Sequence, residues 1–347
     1  FSGGGTTSLD GAAATTITHS GSGAFTVLTE TFARTVTASG TGALTVTAGG
    51  AVVDSFTGST GNDTFNFGAV LTAGAAGTGD TVVGGDGTDT LSFTGDTGIT
   101  AAFSAVSGIE TLSTTTDSGG NNIDLAFFEV TNDITTANAT LGANDSELTW
   151  TDSQATTYGV TTGADGTADT LLSGTIDLLD ATGTDDAITF NLNNSQLNTA
   201  NPLTVTTLTA NDIETITINA DSVSTTTTAN SDEVTITTLA ADDITSLTIT
   251  GDADFTITND IGAATNPVDT VNASGATDTV TLGFGGSDIT YTGGSGVDTL
   301  SFGTTLTSAD SIDGGDGTDV VNATFSAGTV TPAAMTSVET FNATFSG

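Results

Sequence analysis

A chain of 347 residues with 41 Asp or Glu, a single Arg, no Lys and one His carries a formal net charge of −40. Phosphate, nucleic acid and anionic membrane surfaces are held by Lys and Arg, so none of them is a partner that this chain can grip electrostatically. Cysteine is absent, which removes disulfides and thiolate metal sites and leaves an extracellular chain in need of another staple.

The acids are lopsided. Glu30, Glu110, Glu129, Glu147, Glu214, Glu233 and Glu339 are the only Glu; all the others are Asp, the short carboxylate of turns and hard-cation sites. No stretch approaches the roughly 20 apolar residues that span a bilayer, so no membrane insertion is expected. The opening Phe1-Ser-Gly-Gly-Gly is neither a start nor a cleavable signal peptide, and the chain reads as a mature or excised piece of a secreted protein.

Short Val/Ile/Leu/Phe/Thr alternations bounded by Gly, Asp and Asn recur from end to end, and helical periodicity is hard to find. Residues 1–50 form a Thr/Gly-rich β segment in this reading, with Ala43-Leu-Thr-Val-Thr47 as one strand. Residues 51–116 carry Gly58-Ser-Thr-Gly-Asn-Asp-Thr-Phe65, then Gly84-Gly-Asp-Gly-Thr-Asp-Thr-Leu-Ser92, then Gly108-Ile-Glu-Thr-Leu112. Residues 117–268 are a β-rung region, in which Leu208-Thr-Ala-Asn-Asp-Ile-Glu-Thr-Ile-Thr-Ile218 and Leu239-Ala-Ala-Asp-Asp-Ile-Thr-Ser-Leu-Thr-Ile249 share one frame. Residues 269–347 repeat the earlier order: Gly293-Gly-Ser-Gly-Val-Asp-Thr-Leu-Ser301, Gly314-Gly-Asp-Gly-Thr-Asp-Val-Val-Asn322 and Ser337-Val-Glu-Thr-Phe341. The fold class that follows is all-β, a β-solenoid or β-roll-like stack of rungs with β-sandwich parts as an option, interrupted by Gly/Asp turns.

Three segments, 84–92, 293–301 and 314–322, fit the nonapeptide G-G-x-G-x-D-x-U-x, with U a large apolar residue. Glycines permit tight turns that aim carbonyls inward, the Asp supplies a carboxylate, and U drops into a core. A calcium ion wants six to eight oxygens, roughly, which one turn cannot supply, so the next turn is expected to complete the site. On that reasoning the ligands pair nine apart: Asp54 with Asp63, Asp80 with Asp89, Asp269 with Asp278, and Asp310 with Asp319. A second run at spacing ten links Asp278, Asp288 and Asp298. Gly84, Asp86, Asp313 and Asp316 complete the candidate calcium set from within or beside the motifs. Ala75-Ala-Gly-Thr-Gly-Asp80 lacks two of the glycines and Gly58-Ser-Thr-Gly-Asn-Asp63 replaces one by Ser59. Ordinary turns use the same Gly-Asp-Gly and Asn-Asp-Thr triplets, and that is the competing reading. Glu110, Glu214 and Glu339, at the I-E-T-L-type strand starts, are expected to take hydrogen-bonding or calcium-bracing roles.

The nonapeptides resemble the repeats-in-toxin family. The order G-x-x-G-N-D-T-F, G-G-x-G-T-D-x-L, G-I-E-T-L over 49–116 and 269–347 is similar to calcium-dependent bacterial surface-layer proteins carrying such repeats. The resemblance implies type I export without a cleaved N-terminal signal, folding on several Ca2+ ions outside the cell, and assembly with copies of itself into a sheet or filament. A cell-surface polysaccharide is a further candidate partner.

No enzyme is expected. His19 has no Cys, Lys or second His to work with, and one Trp (Trp150) with two Tyr (Tyr158, Tyr291) is a poor supply of sugar platforms. The 17 Phe read as core fillers, and Arg34 as a partner for one of many carboxylates. Two alternatives stay open: an adhesin or ice-binding repeat, and the calcium-binding C-terminal part of a secreted enzyme. The ice-binding reading needs Thr at one register on successive rungs, whereas along the sequence Thr is spread over many registers.

Overall fold

The computed structural model describes residues 5–8, 15–28, 34–50, 52–69, 71–73, 79–95, 103–116, 120–125, 128, 134–141, 146–162, 169–180, 182–195, 201–223, 233–263, 266–326 and 333–346. Among the described residues thirty strands run from β1 (Gly5–Ser8) to β30 (Thr340–Ser346). The paired named strands described are all parallel, as a β-solenoid requires; the sandwich option finds no antiparallel strand pair among them. The chain divides into two compact units, Phe1–Thr140 with Thr149–Ala155, and Leu141–Leu148 with Thr156–Gly347.

In the first unit, one sheet stacks β3 (Phe25–Leu28), β5 (Leu44–Thr47), β7 (Thr64–Gly68), β9 (Thr90–Gly95) and β11 (Thr111–Thr116). The other stacks β2 (Thr16–Gly21), β4 (Thr35–Gly40), β6 (Ser55–Thr57), β8 (Thr81–Val83) and β10 (Val106–Ser107). Successive strands in the chain therefore alternate between sheets, and each strand pairs with the strand one full turn away. In-register pairing puts Val27, Val46, Phe65, Leu91 and Leu112 in one inward column. All are buried, each contributing roughly 1.5–3 kcal/mol by leaving water.

The second unit repeats the scheme. One sheet stacks β17 (Ala187–Asn194), β19 (Thr215–Ser222), β21 (Ser246–Gly251), β23 (Thr270–Ala276), β25 (Thr290–Thr292), β27 (Ser311–Asp313) and β29 (Ala334–Thr336). The other stacks β18 (Leu203–Thr209), β20 (Glu233–Ala240), β22 (Asp254–Ile261), β24 (Val280–Phe284), β26 (Thr299–Ser301), β28 (Val320–Ser326) and β30. Leu208 pairs with Leu239 and Thr215 with Ser246, so the shared frame seen in the sequence is one solenoid turn.

Thr does fall in register, against the sequence expectation. Thr26, Thr45, Thr64, Thr90 and Thr111 form one outward column in the first unit. Thr215, Ser246, Thr270, Thr290 and Ser311 form another in the second. Corner loops of unequal length hide the alignment, because adjacent corners lie 19, 26 and 21 residues apart along the chain.

Phe65→Ala should lower the unfolding free energy by about 3–5 kcal/mol, and Thr45→Ala on the same rung by less than about 1 kcal/mol. Urea denaturation followed by circular dichroism reads both; equal losses would contradict the assignment of inward and outward faces.

Candidate functional site: carboxylate columns at the corners

Because the strands stack in register, the Asp just before a strand sits over the equivalent residue of the next turn. Its carboxylate then accepts the backbone N–H of the preceding turn. Leu44 N–H donates to Asp63 Oδ1 (2.6 Å), Asp63 N–H to Asp89 Oδ1 (2.7 Å) and Asp89 N–H to Glu110 Oε2 (2.8 Å). In the second unit Val280 N–H donates to Asp298 Oδ1 (3.2 Å), Asp298 N–H to Asp319 Oδ1 (2.8 Å) and Asp319 N–H to Glu339 Oε2 (2.8 Å). Shorter runs join Arg34 N–H to Asp54 (2.7 Å) and Asp54 N–H to Asp80 (2.8 Å), and Ile289 N–H to Asp310 (2.7 Å). Asp186 N–H donates to Glu214 Oε2 at 2.8 Å, a column member that no motif announced. The Glu of the I-E-T-L-type element therefore takes the hydrogen-bonding role expected of it.

These columns correct the pairing expected from the sequence. Asp54 precedes β6 and Asp63 precedes β7, which belong to different sheets, and the same holds for Asp80 and Asp89, Asp269 and Asp278, and Asp310 and Asp319. A nonapeptide is half a turn of solenoid, so residues nine apart start strands of opposite sheets. Partners lie a full turn apart: 26 residues for Asp54–Asp80 and Asp63–Asp89, 21 for Asp298–Asp319.

The candidate residues sort by burial. Asp54, Asp63, Asp80, Asp89, Asp298, Asp310 and Asp319 are buried. Asp86, Asp269, Asp278, Asp288, Asp313 and Asp316 are exposed. Gly84 is buried in the corner, where a Cβ would collide with the Gly108 carbonyl oxygen and with Asp89 Oδ2. The first glycine of each motif thus exists to let the Asp five residues on fold beneath it. Gly85 and Gly87 follow with φ of 114° and 124°, left-handed backbone that side chains resist.

The corner carboxylates differ in whether both oxygens are engaged. At Asp63, the Ser59 amide bonds Oδ2 and the Ser59 hydroxyl bonds Oδ1 (3.1 Å). Asp80 and Asp310 likewise have both oxygens engaged, by Asp54 and Thr72 N–H and by Ile289 and Thr307 N–H. At the full nonapeptides a glycine stands where Ser59 does, and Asp89 Oδ2 and Asp319 Oδ2 are buried with no hydrogen-bond partner. Asp54 Oδ2 is in the same condition. Asp298 is the exception, because the Tyr291 hydroxyl donates to its Oδ2 at 2.8 Å.

Burial pushes the Asp89 carboxyl up to about 6; the Asp63 N–H opposes this, and the Asp63, Glu110 and Asp86 charges add to it. Asp298 is raised to about 6 by burial against the Tyr291 hydroxyl bond, with the Asp319 charge adding. Asp54 is raised to about 6 by burial against the Arg34 N–H, the Asp80 charge adding and the Arg34 charge opposing. Asp63, Asp80 and Asp319 shift upward from burial as well. Each column is a stack of like charges that repel one another in a poorly solvated place.

Unpaired buried carboxylate oxygens beside backbone carbonyls, that of Gly108 at Asp89 and that of Ser337 at Asp319, are an all-oxygen donor set, which suits a hard cation such as calcium. Among the described residues no group of three or more His, Cys, Asp or Glu side chains is gathered to hold a metal. A cation at Asp89 or Asp319 would therefore draw most of its ligands from the backbone of two adjacent turns. His19 is buried in β2, stacks on Phe25 at 4.6 Å and has Nε2 3.2 Å from the Gly23 carbonyl oxygen, while its Nδ1 is buried without a hydrogen-bond partner. Trp150, Tyr158 and Tyr291 are all buried and present no aromatic platform.

No family model and no curated protein matches the chain.

Gly84→Ala should cost about 3 kcal/mol or more, because the new methyl meets backbone that cannot give way. Gly303→Ala, with φ of 52° and open space around it, should cost about 1 kcal/mol. Urea midpoints measure both, and equal losses would contradict the corner geometry. The upward shifts also fix a pH dependence for chelated protein. An acid at about 6 when folded and 3.8 when unfolded binds more protons in the folded state, so its stability term grows as pH falls through that window. The β signal of chelated protein in circular dichroism should rise as pH is lowered from about 7.5 to about 5; a flat or opposite trend would contradict the buried columns.

Proposed function

We propose that this chain is an extracellular structural protein that folds on calcium and assembles with copies of itself into a surface layer or filament. The observation that carries the reading is the pair of columns Asp63–Asp89–Glu110 and Asp298–Asp319–Glu339, whose buried oxygens at Asp89 and Asp319 lack a partner. Calcium supplies the missing positive charge there and offsets the mutual repulsion of stacked carboxylates. Asp89 and Asp319, with the carbonyls of their corners, would hold the ion, and Asp86 and Asp316 lie in the same turns. Binding energy then becomes folding energy, so a chain of −40 charge stays loose where calcium is scarce and folds where it is plentiful.

Assembly is supported by the parallel register itself, which repeats from rung to rung, so that a rung of a neighbouring copy would continue it in a head-to-tail contact that does not close on itself. An ordered polymer of a calcium-hardened solenoid is a structural material, and nothing in the columns calls for a substrate.

Circular dichroism and electron microscopy on chelated protein, repeated after calcium at about 1 mM is restored, test this reading. Gain of β structure together with sheets or fibres is expected. Asp89→Asn and Asp319→Asn should each raise the calcium midpoint about tenfold or more. Folding and assembly that are indifferent to calcium would overturn it.

A further inference from the structure

On the outer face of one sheet in the second unit, two neighbouring columns carry no charge across four successive rungs, although the protein holds 41 acids. From β19 to β25 the column Thr215, Ser246, Thr270, Thr290 is matched two residues along each strand by Thr217, Thr248, Asn272 and Thr292. Acids border this patch, with Glu214, Asp269 and Asp288 ahead of the strands, Asp221 at the far end of β19 and Asp313 beside Thr292 on the next rung. From these observations we infer that this face binds the surface of crystalline water.

Stacked strands repeat at about 4.8 Å and alternate residues of one strand at about 6.6 Å, so the polar groups form a two-dimensional lattice. Distances of that order match the oxygen spacing on a prism face of hexagonal ice. Thr suits the task because its β-branched side chain is stiff at χ1, so little rotamer freedom is lost when the hydroxyl is fixed, and its methyl excludes disordered water. Charges would hold a mobile hydration shell, and none is present in the array. A sugar polymer would need aromatic platforms, and the Trp and both Tyr are buried. A second copy face to face would bring two sets of flanking carboxylates together at a net charge of −40 each.

The inference is independent of what the corners bind. The test is ice recrystallisation and freezing-point hysteresis with the folded full chain in calcium buffer. The chain should suppress recrystallisation and shape ice. Thr248→Lys, in the middle of the array, should reduce that activity at least about tenfold with unchanged circular dichroism, as a hot-spot residue of an interface does. Thr182→Lys, at an exposed corner, should leave the activity intact. Wild-type chain no more active than serum albumin would overturn the inference. So would equal activity of the two variants, or retention on microcrystalline cellulose without any effect on ice.

Discussion

Parallel stacking in register is the constraint from which the rest follows: whatever stands at one position of a turn stands above its own kind in the next. For apolar residues the rule is favourable, and it builds the Val27–Val46–Phe65–Leu91–Leu112 column with no further device. For Thr it yields ordered hydroxyl rows on the outer faces. For Asp it is costly, because carboxylates that close one turn's backbone onto the next must then repel one another along the corner. The corners resolve part of that cost through N–H donors, and part through the Glu that ends each main column. What remains is carried by Asp54, Asp89, Asp186 and Asp319, whose second oxygens are sealed away from water and unpartnered.

Much of the fold is legible in the sequence, since period-2 alternation is a local property. Glu214-Thr-Ile-Thr-Ile218 and Ser246-Leu-Thr-Ile-Thr250 can be read as one-sided strands without knowing what they pack on, and the frame shared by Leu208 and Leu239 marks a turn of the solenoid. The partners of the corner residues are not local, and there the reading went astray. A nonapeptide contains one strand and one corner, so spacing nine suggested neighbours where the chain had crossed to the other sheet. Unequal loops made the true partners differ in separation, 26 residues for Asp63–Asp89 and 21 for Asp298–Asp319. The same irregularity concealed the Thr rows. Asp186 carried no motif at all; only its place in front of a strand whose neighbour is preceded by Glu214 marks it.

Saturation of a corner carboxylate depends on which donors reach its second oxygen: the Ser59 backbone N–H at Asp63, the Tyr291 hydroxyl at Asp298, and none at Asp89 or Asp319. The two surfaces present different chemistry, buried carboxylates along the corners and columns of hydroxyls on an outer face.

Amide hydrogen exchange with and without calcium addresses the central claim most directly, because the column N–H groups of Asp63, Asp89, Asp298 and Asp319 are themselves the probes. The account predicts that peptides covering 58–95 and 293–326 are protected in calcium and exchange freely after chelation. Equal protection in both conditions would mean that the stacked carboxylates need no cation, and would contradict it.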